Sequence, residues 1–333
     1  IDGDRTELLT FGVSNKLKGT LVNDNSLFEI GSVTKTFTTL ALASMVEEGK
    51  VKLTDPVQAY LPAKLRLPTK NGKAITFLSL ANHSSGLPRL PANMPFGDPL
   101  DPYADYTVDM MYDFLNDYEL PREVGEKTEY SNLGMGLLGH VLSLIDNKSF
   151  EQMIRDRVLE PLAMNATYAN VPQSVMANLS QGYDEQLKPT KHWQLPTMAG
   201  AGVLKSNAED MAMFLKAQMH KRPLERAISM TQTVTADFDG PNAKIGLGWL
   251  RLSRGQNEFY MHNGITGAFR TFVGFNPKEN KGIVLMVNSV FDLDQLEVAY
   301  LTNTLQDIEL KAPFKATEAE LVNVNGKYEL VPG

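Results

Sequence analysis

Ser32 and Lys35 stand three residues apart where a short apolar run, Leu27-Phe28-Glu29-Ile30, passes through Gly31 into a helix-periodic stretch. Val33, Phe37, Leu40, Ala41 and Met45 recur at three- and four-residue steps, which is the helical period. Gly49 then reads as a helix stop. The spacing predicts Ser32 in the first turn of a buried helix, with Lys35 one turn up the same face. A serine hydroxyl becomes a nucleophile when a neighbouring base takes its proton, and a lysine whose charge is disfavoured by burial can be that base. Ser-x-x-Lys alone also describes a helix cap beside a solvated lysine, so the pair needs companions.

Two further clusters can supply them. Tyr130-Ser131-Asn132 follows Gly125-Glu126-Lys127 and runs straight into an apolar helix predicted over 133–145. A turn entering a helix holds side chains rigidly. A phenol near a lysine can shuttle a proton, and an asparagine can hydrogen-bond a substrate amide. Taken singly, the cluster reads equally as a packed loop tyrosine with Asn132 as helix cap. Tyr168-Ala169-Asn170 repeats the pattern inside an irregular connection and is read as structural.

His262-Asn263-Gly264 closes a strand predicted over 258–262. Backbone N–H groups at a strand end can receive a developing oxyanion, and Gly264 admits close approach. His262, if protonated, would take a substrate carboxylate. His83, His140, His192 and His220 show no ligand spacing, so no metal is expected.

These residues need elements to carry them. Alternation predicts strands over 6–14 and 27–30, and later over 246–252, 258–262, 268–275 and 282–288 as an antiparallel meander. Between residues 56 and 199 the reading is helices and long loops, including a short helix over 107–118. Ser149 with Gln152 opens a further helix through Leu159, and Ser206 with Glu209 one through Met219. Asp292 is expected to cap a helix carrying Leu293, Leu296, Tyr300, Leu301 and Leu305. The result is an α+β fold: an antiparallel sheet flanked by helices and built from both termini, with an inserted, mostly helical domain. The expected division is 1–55 with 200–333 for the sheet domain and 56–199 for the helical one, with the site between them. The closing stretch 322–331 is either a last strand or the stub of another domain.

Composition narrows the field. The chain has 333 residues, 43% hydrophobic and 21% charged, as in a globular protein. A net charge of -7 without a basic tract argues against nucleic acid. With no cysteine, disulfide and thiol chemistry are excluded. No apolar run approaches a membrane span, and Ile1-Asp2-Gly3-Asp4 does not read as a signal peptide. Gly134-x-Gly136-x-x-Gly139 matches the dinucleotide fingerprint literally, but no strand precedes it, and close helix packing is the simpler account. No Gly-x-Ser-x-Gly elbow is present.

Together, in this order, the three clusters resemble the serine β-lactamase and penicillin-binding superfamily. The nearest branch contains class C β-lactamases, D-alanyl-D-alanine carboxypeptidases, D-aminopeptidases and family VIII esterases. Phe28–Lys35 looks like the nucleophile motif of that family, and Leu80-Ala81-Asn82-His83-Ser84-Ser85-Gly86-Leu87 like its L-x-x-H-[ST]-S-G-L segment. Pro161–Met164 and Ala199–Gly202 match further recurrent segments.

The resemblance implies roles. Ser32 would attack a carbonyl, with Lys35 and Tyr130 passing its proton to the leaving group. Asn132 would hold the substrate amide, and the Ser32 and Ile265 N–H groups would form the oxyanion hole. Asn263 and Gly264 would line the same edge. An acyl-enzyme would form on Ser32 and then hydrolyse, without a cofactor, on β-lactams, D-amino-acid peptides or small esters. The alternative is a penicillin- or peptidoglycan-binding sensor that acylates and stops. The resemblance also implies a periplasmic or secreted protein; it leaves the oligomeric state open.

The third cluster departs from class C, which has Lys-Thr-Gly where this chain has His262-Asn263-Gly264. A histidine near its reference pKa of about 6.5 is not a permanent charge, so the resemblance leans toward the peptidase and esterase side.

Overall fold

The structure, a computed structural model, describes residues 1–291 and 294–307. Its centre is the helix predicted at the nucleophile. Helix α1 (Thr34–Glu47) follows a single 3-10 turn, Gly31–Val33. Every residue from Thr34 to Met45 is buried. Such a helix must satisfy its polar side chains internally, and the threonines do so. Thr36 donates to the Val33 carbonyl at 2.8 Å, Thr38 to Gly200 at 2.9 Å and Thr39 to Leu247 at 2.8 Å. Phe37 stacks on Phe214 with ring centroids 4.0 Å apart.

The approach to α1 is short. A hairpin of β1 (Val13–Asn15) and β2 (Thr20–Leu21) comes first. Then β3 (Phe28–Glu29) pairs antiparallel with β4 (Lys205–Ser206). The strand expected over 6–14 is formed only at its end. Leu8, Leu9 and Phe11 are exposed, so that alternation has no face to bury and no ladder to join. The start of the chain instead touches the sheet edge, where Gly282 N–H donates to the Ile1 carbonyl at 3.0 Å.

Helices follow α1 in sequence: α2 (Phe77–Ala81), α3 (Val108–Asp117), α4 (Asn132–Asp146), α5 (Phe150–Ile154) and the short α6 (Ala199–Gly202). Ser149 caps α5 as expected, accepting from Gln152 N–H at 3.2 Å, and one wide turn, Arg155–Leu159, prolongs it. Helix α7 (Ala208–His220) starts one residue later than predicted. Its cap is Asn207, which accepts from Asp210 N–H at 2.9 Å. Ser206 is committed to β4, with its hydroxyl bonded to Thr167 at 2.8 Å. Helix α8 (Glu225–Gln232) then packs on α1.

The meander is present with shifted bounds and two additional short strands. It runs β5 (Ala236–Asp237), β6 (Ala243–Ile245), β7 (Leu250–Arg254), β8 (Asn257–Ile265), β9 (Arg270–Asn276) and β10 (Lys281–Val287), in the order β10-β9-β8-β7-β6-β5. Residues 246–249 stay outside the ladder because a Cβ at Gly246 would collide with the Thr231 carbonyl and one at Gly248 would lie 2.8 Å from Thr39 Oγ1.

Strand β9 shows the two-residue period of a covered sheet. Val273 and Phe275 join the core around α1, while Phe272 packs on Leu301 of α9 (Asp294–Thr302). The Asp292 cap and Leu293 lie outside the described residues, as does the stretch 322–331. Leu305 belongs to a separate 3-10 turn, because the chain leaves α9 through Asn303 at φ +58. The protein therefore has the α+β fold expected, although its six-stranded sheet comes wholly from residues 236–287. No helix of the described residues is long and apolar enough to cross a membrane.

The fingerprint glycines all lie within α4, not in a phosphate-binding turn. They serve packing. A Cβ on Gly139 would lie 2.8 Å from the Gly200 Cα, and one on Gly136 would lie 2.9 Å from Met198 Cβ. Gly139→Val should therefore overpack the α4–α6 contact, costing roughly 1–3 kcal/mol or more and lowering the denaturation midpoint. An unchanged midpoint would show that α6 yields freely.

Candidate active site

Ser32 lies in the 3-10 turn ahead of α1 and remains partly accessible, while Lys35, on the first turn of α1, has no exposed surface. Lys35 Nζ is 2.9 Å from Ser32 Oγ and 2.6 Å from the Ala201 carbonyl oxygen. Desolvation, followed by the nearby Arg89 charge, holds the Lys35 amine well below the usual lysine range. One N–H can thus point at Ala201 while the lone pair faces the serine hydroxyl, which is the arrangement a general base requires.

Tyr130 completes the group. Its phenol lies close enough to Ser32 for that side chain to lower its pKa, and Lys35 Nζ sits 4.8 Å from the centre of its ring. Burial pushes the phenol up to about 12, so it is a proton donor at neutral pH. Residues on both sides hold it in place. Glu129 N–H donates to the His83 carbonyl at 2.7 Å, Ser131 N–H donates to His83 Nδ1 at 3.2 Å, and the His83 ring packs at a tilt against Tyr130, with centroids 4.6 Å apart. His83 is buried at φ +61, a costly conformation for a non-glycine residue.

Ser131, not Asn132, caps α4; its Oγ accepts from Gly134 N–H at 2.8 Å. Asn132 is thereby released to the cleft. Its side chain lies beside the Tyr103 phenol, and its Oδ1 has no hydrogen-bond partner. A buried, unsatisfied carbonyl at the N-terminus of a helix is ready to accept a substrate N–H.

The third cluster sits at the end of β8, pressed against the 3-10 turn. A Cβ on Gly264 would collide with the Ile30 carbonyl oxygen, and one on Gly31, at φ +48, would lie 2.9 Å from Ile265 N. Only glycine at both positions lets the two backbones approach this closely. Ser32 N and Ile265 N are thereby brought to one edge of the cleft, beside Asn263. The structure corrects the reading of His262 as a cation. Its Nδ1 is 2.6 Å from the Asn263 carbonyl, and burial, then Lys35, pulls its pKa down to about 3. The imidazole is neutral, its Nδ1–H donates to Asn263, and Nε2 is left as an acceptor.

Ser32, Tyr130, Asn132, His262, Asn263 and Ile265 all line one cleft of about 1200 Å³. The same cleft contains three residues that the sequence did not single out: Arg89, Tyr103 and Trp193. Arg89 immediately follows the Leu80–Leu87 segment and Pro88, and a charged residue there was the available signal. Tyr168 lies elsewhere, with its phenol donating to the Asn165 carbonyl at 2.9 Å. Among the described residues no cluster of acidic and histidine side chains has metal-site geometry.

The chain belongs to the Beta-lactamase family, whose model matches residues 1–305. It is 28% identical over 324 residues to a β-lactamase of Pseudomonas fluorescens, covering 86% of each chain. It is 26% identical over 303 residues to the D-alanyl-D-alanine-carboxypeptidase/endopeptidase AmpH of Escherichia coli K12, covering 86% of this chain and 77% of that protein. In fold it matches a mutant class C β-lactamase with a TM-score of 0.76 and 23% identity, over 90% of this chain and 87% of that one. The protein is a serine hydrolase of the β-lactamase and penicillin-binding superfamily.

The state of His262 can be read directly. In a two-dimensional spectrum of the imidazole nitrogens, its signals should stay those of the Nδ1-protonated neutral ring from pH 5 to pH 8. A titration centred near the reference value of about 6.5 would restore the cation.

Proposed function

We propose that the protein hydrolyses β-lactams, D-alanyl-D-alanine-type peptides or small esters through an acyl-enzyme on Ser32. The observation that carries this reading is the meeting of a nucleophile, a desolvated amine and a protonated phenol in one cleft. Lys35 takes the Ser32 proton as Oγ bonds to the substrate carbonyl carbon. The tetrahedral oxyanion forms beside Ser32 N and Ile265 N, where each donor is worth roughly 3–4 kcal/mol. Its collapse breaks the bond to the leaving group, which leaves with a proton from Tyr130. Lys35, whose Nζ lies 4.8 Å from the centre of the Tyr130 ring, then returns its proton to the phenolate. Water attacks the acyl-serine ester in a second cycle of the same transfers and restores the hydroxyl.

The substrate classes rest on the relatives. One is named a β-lactamase and another a D-alanyl-D-alanine carboxypeptidase/endopeptidase. Esters are included because acyl transfer to a serine requires only a carbonyl and a leaving group. A periplasmic or secreted location is part of the proposal and rests on the family resemblance alone. We keep the division into a sheet domain, 1–55 with 200–333, and a mostly helical domain, 56–199, as part of the same proposal.

Intact-protein mass spectrometry with a penicillin and with p-nitrophenyl butyrate tests the reading. An adduct should appear and clear in the native protein and be absent from Ser32→Ala. An adduct that never clears would make the protein a sensor, and one that survives Ser32→Ala would place the nucleophile elsewhere. Tyr130→Phe should lower kcat/KM about 10²–10⁴-fold, with Tyr168→Phe near the native value. Equal losses in the two would mean that the wrong tyrosine has been assigned.

A further inference from the structure

With His262 neutral, the positive charge expected at the end of β8 is missing, yet the cleft contains another cation. Arg89 lines it and is exposed to it. Its guanidinium carbon lies 5.1 Å from the centre of the Tyr130 ring. Among the described residues no carboxylate pairs with it.

The backbone under Arg89 is fixed to the catalytic turn. Its carbonyl accepts from Asn132 N–H at 3.0 Å and from Leu133 N–H at 3.3 Å, while Ser131 Oγ donates to the Pro88 carbonyl at 2.7 Å. Residues 88–89 and 131–133 therefore move as one piece, and Arg89 is held beside Asn132.

Charge around the cleft is unevenly distributed. Glu126, Lys127, Glu129, Asp237 and Asp239 also line it, and Thr128 Oγ1 donates to the Asp237 carbonyl at 2.7 Å and ties the two segments together. Glu129 is paired with Arg122 at 2.6 Å. An anion entering the cleft is attracted to the wall that carries the exposed Arg89 guanidinium. That wall is aromatic as well: the centres of the Tyr103 and Trp193 rings are 5.2 Å apart, and the Tyr103 phenol lies beside Asn132.

Resting on the acyl-enzyme reading above, in which Asn132 Oδ1 takes an amide N–H of the acyl portion, the geometry points to a specificity subsite. We propose that Arg89 binds a carboxylate carried by the acyl portion of the substrate, on the Tyr103–Asn132 side of Ser32. Guanidinium and carboxylate meet through two parallel hydrogen bonds, and the ring of Tyr130 beneath keeps the guanidinium plane oriented. The preferred substrates are then peptides or esters whose acyl part has an acidic side chain or an acidic cap.

Three synthetic esters test this: N-acetylglycyl p-nitrophenyl ester, N-succinylglycyl p-nitrophenyl ester, and the N-acetylglycyl ester of 3-hydroxybenzoic acid. The native protein should favour the succinyl over the acetyl ester by about tenfold or more in kcat/KM, the scale of one charge-assisted contact. Arg89→Gln should bring that ratio close to one, and Arg89→Lys should keep part of it. A native ratio near one, or a ratio untouched by Arg89→Gln, overturns the proposal. So does a loss of preference confined to the hydroxybenzoate ester, which would put the carboxylate on the leaving group. Competition by N-succinylglycinamide against N-acetylglycinamide for the Ser32→Ala protein, read as thermal shift, gives the same comparison without turnover. If all three esters are hydrolysed by Ser32→Ala, the acyl-enzyme reading itself fails. If Ser32→Ala is inactive but Arg89 leaves the ratios unmoved, only the subsite fails.

Discussion

Lys35 Nζ meets two oxygen atoms, the Ser32 hydroxyl and the Ala201 carbonyl, and no carboxylate among the described residues. An ammonium buried with so little compensation is costly, and that desolvation holds the group well below the usual lysine range. Much of the architecture follows from this requirement. Helix α1 is covered on every face, by α4, α6 and α8 as well as by the segment after α5. Its threonines turn their hydroxyls to neighbouring carbonyls, so nothing on the helix calls for water. The same packing that stabilises the protein thus prepares the base.

The second constraint is distance between backbones. Gly31 and Gly264 let the end of β8 touch the 3-10 turn, which brings two backbone N–H groups to the edge of the cleft. On the other side, His83 holds the residues flanking Tyr130 with two hydrogen bonds and a ring contact. Nucleophile, base, phenol and amide are therefore each fixed by a separate element of a rigid framework. Preorganisation of this kind removes much of the reorganisation cost of acyl transfer.

How much of this was legible in the sequence depended on range. Ser32 and Lys35 declared themselves because one helical turn separates them and the apolar period around them is regular. Gly264 was readable as a point of close approach, although its partner, Ile30, was not. The charge of His262 could not be read, because desolvation is a property of everything packed around the ring. Arg89 was passed over for a related reason: it gains its place only when residues 88–89 bond to the start of α4. Ser206 matched a capping pattern yet went to β4, since a buried bond to Thr167 outweighed a local cap. The alternation over 6–14 lacked a partner strand and mostly stayed irregular.

The charge state of Lys35 is where the account is most exposed. Protein labelled with carbon-13 at the lysine Cε, with the Lys35 signal assigned by its loss in Lys35→Arg, would report that state across pH. Lys35 is expected to lose its proton well below its usual value of 10.5, apart from the solvated lysines of the surface. A Lys35 signal that titrates together with them would contradict it.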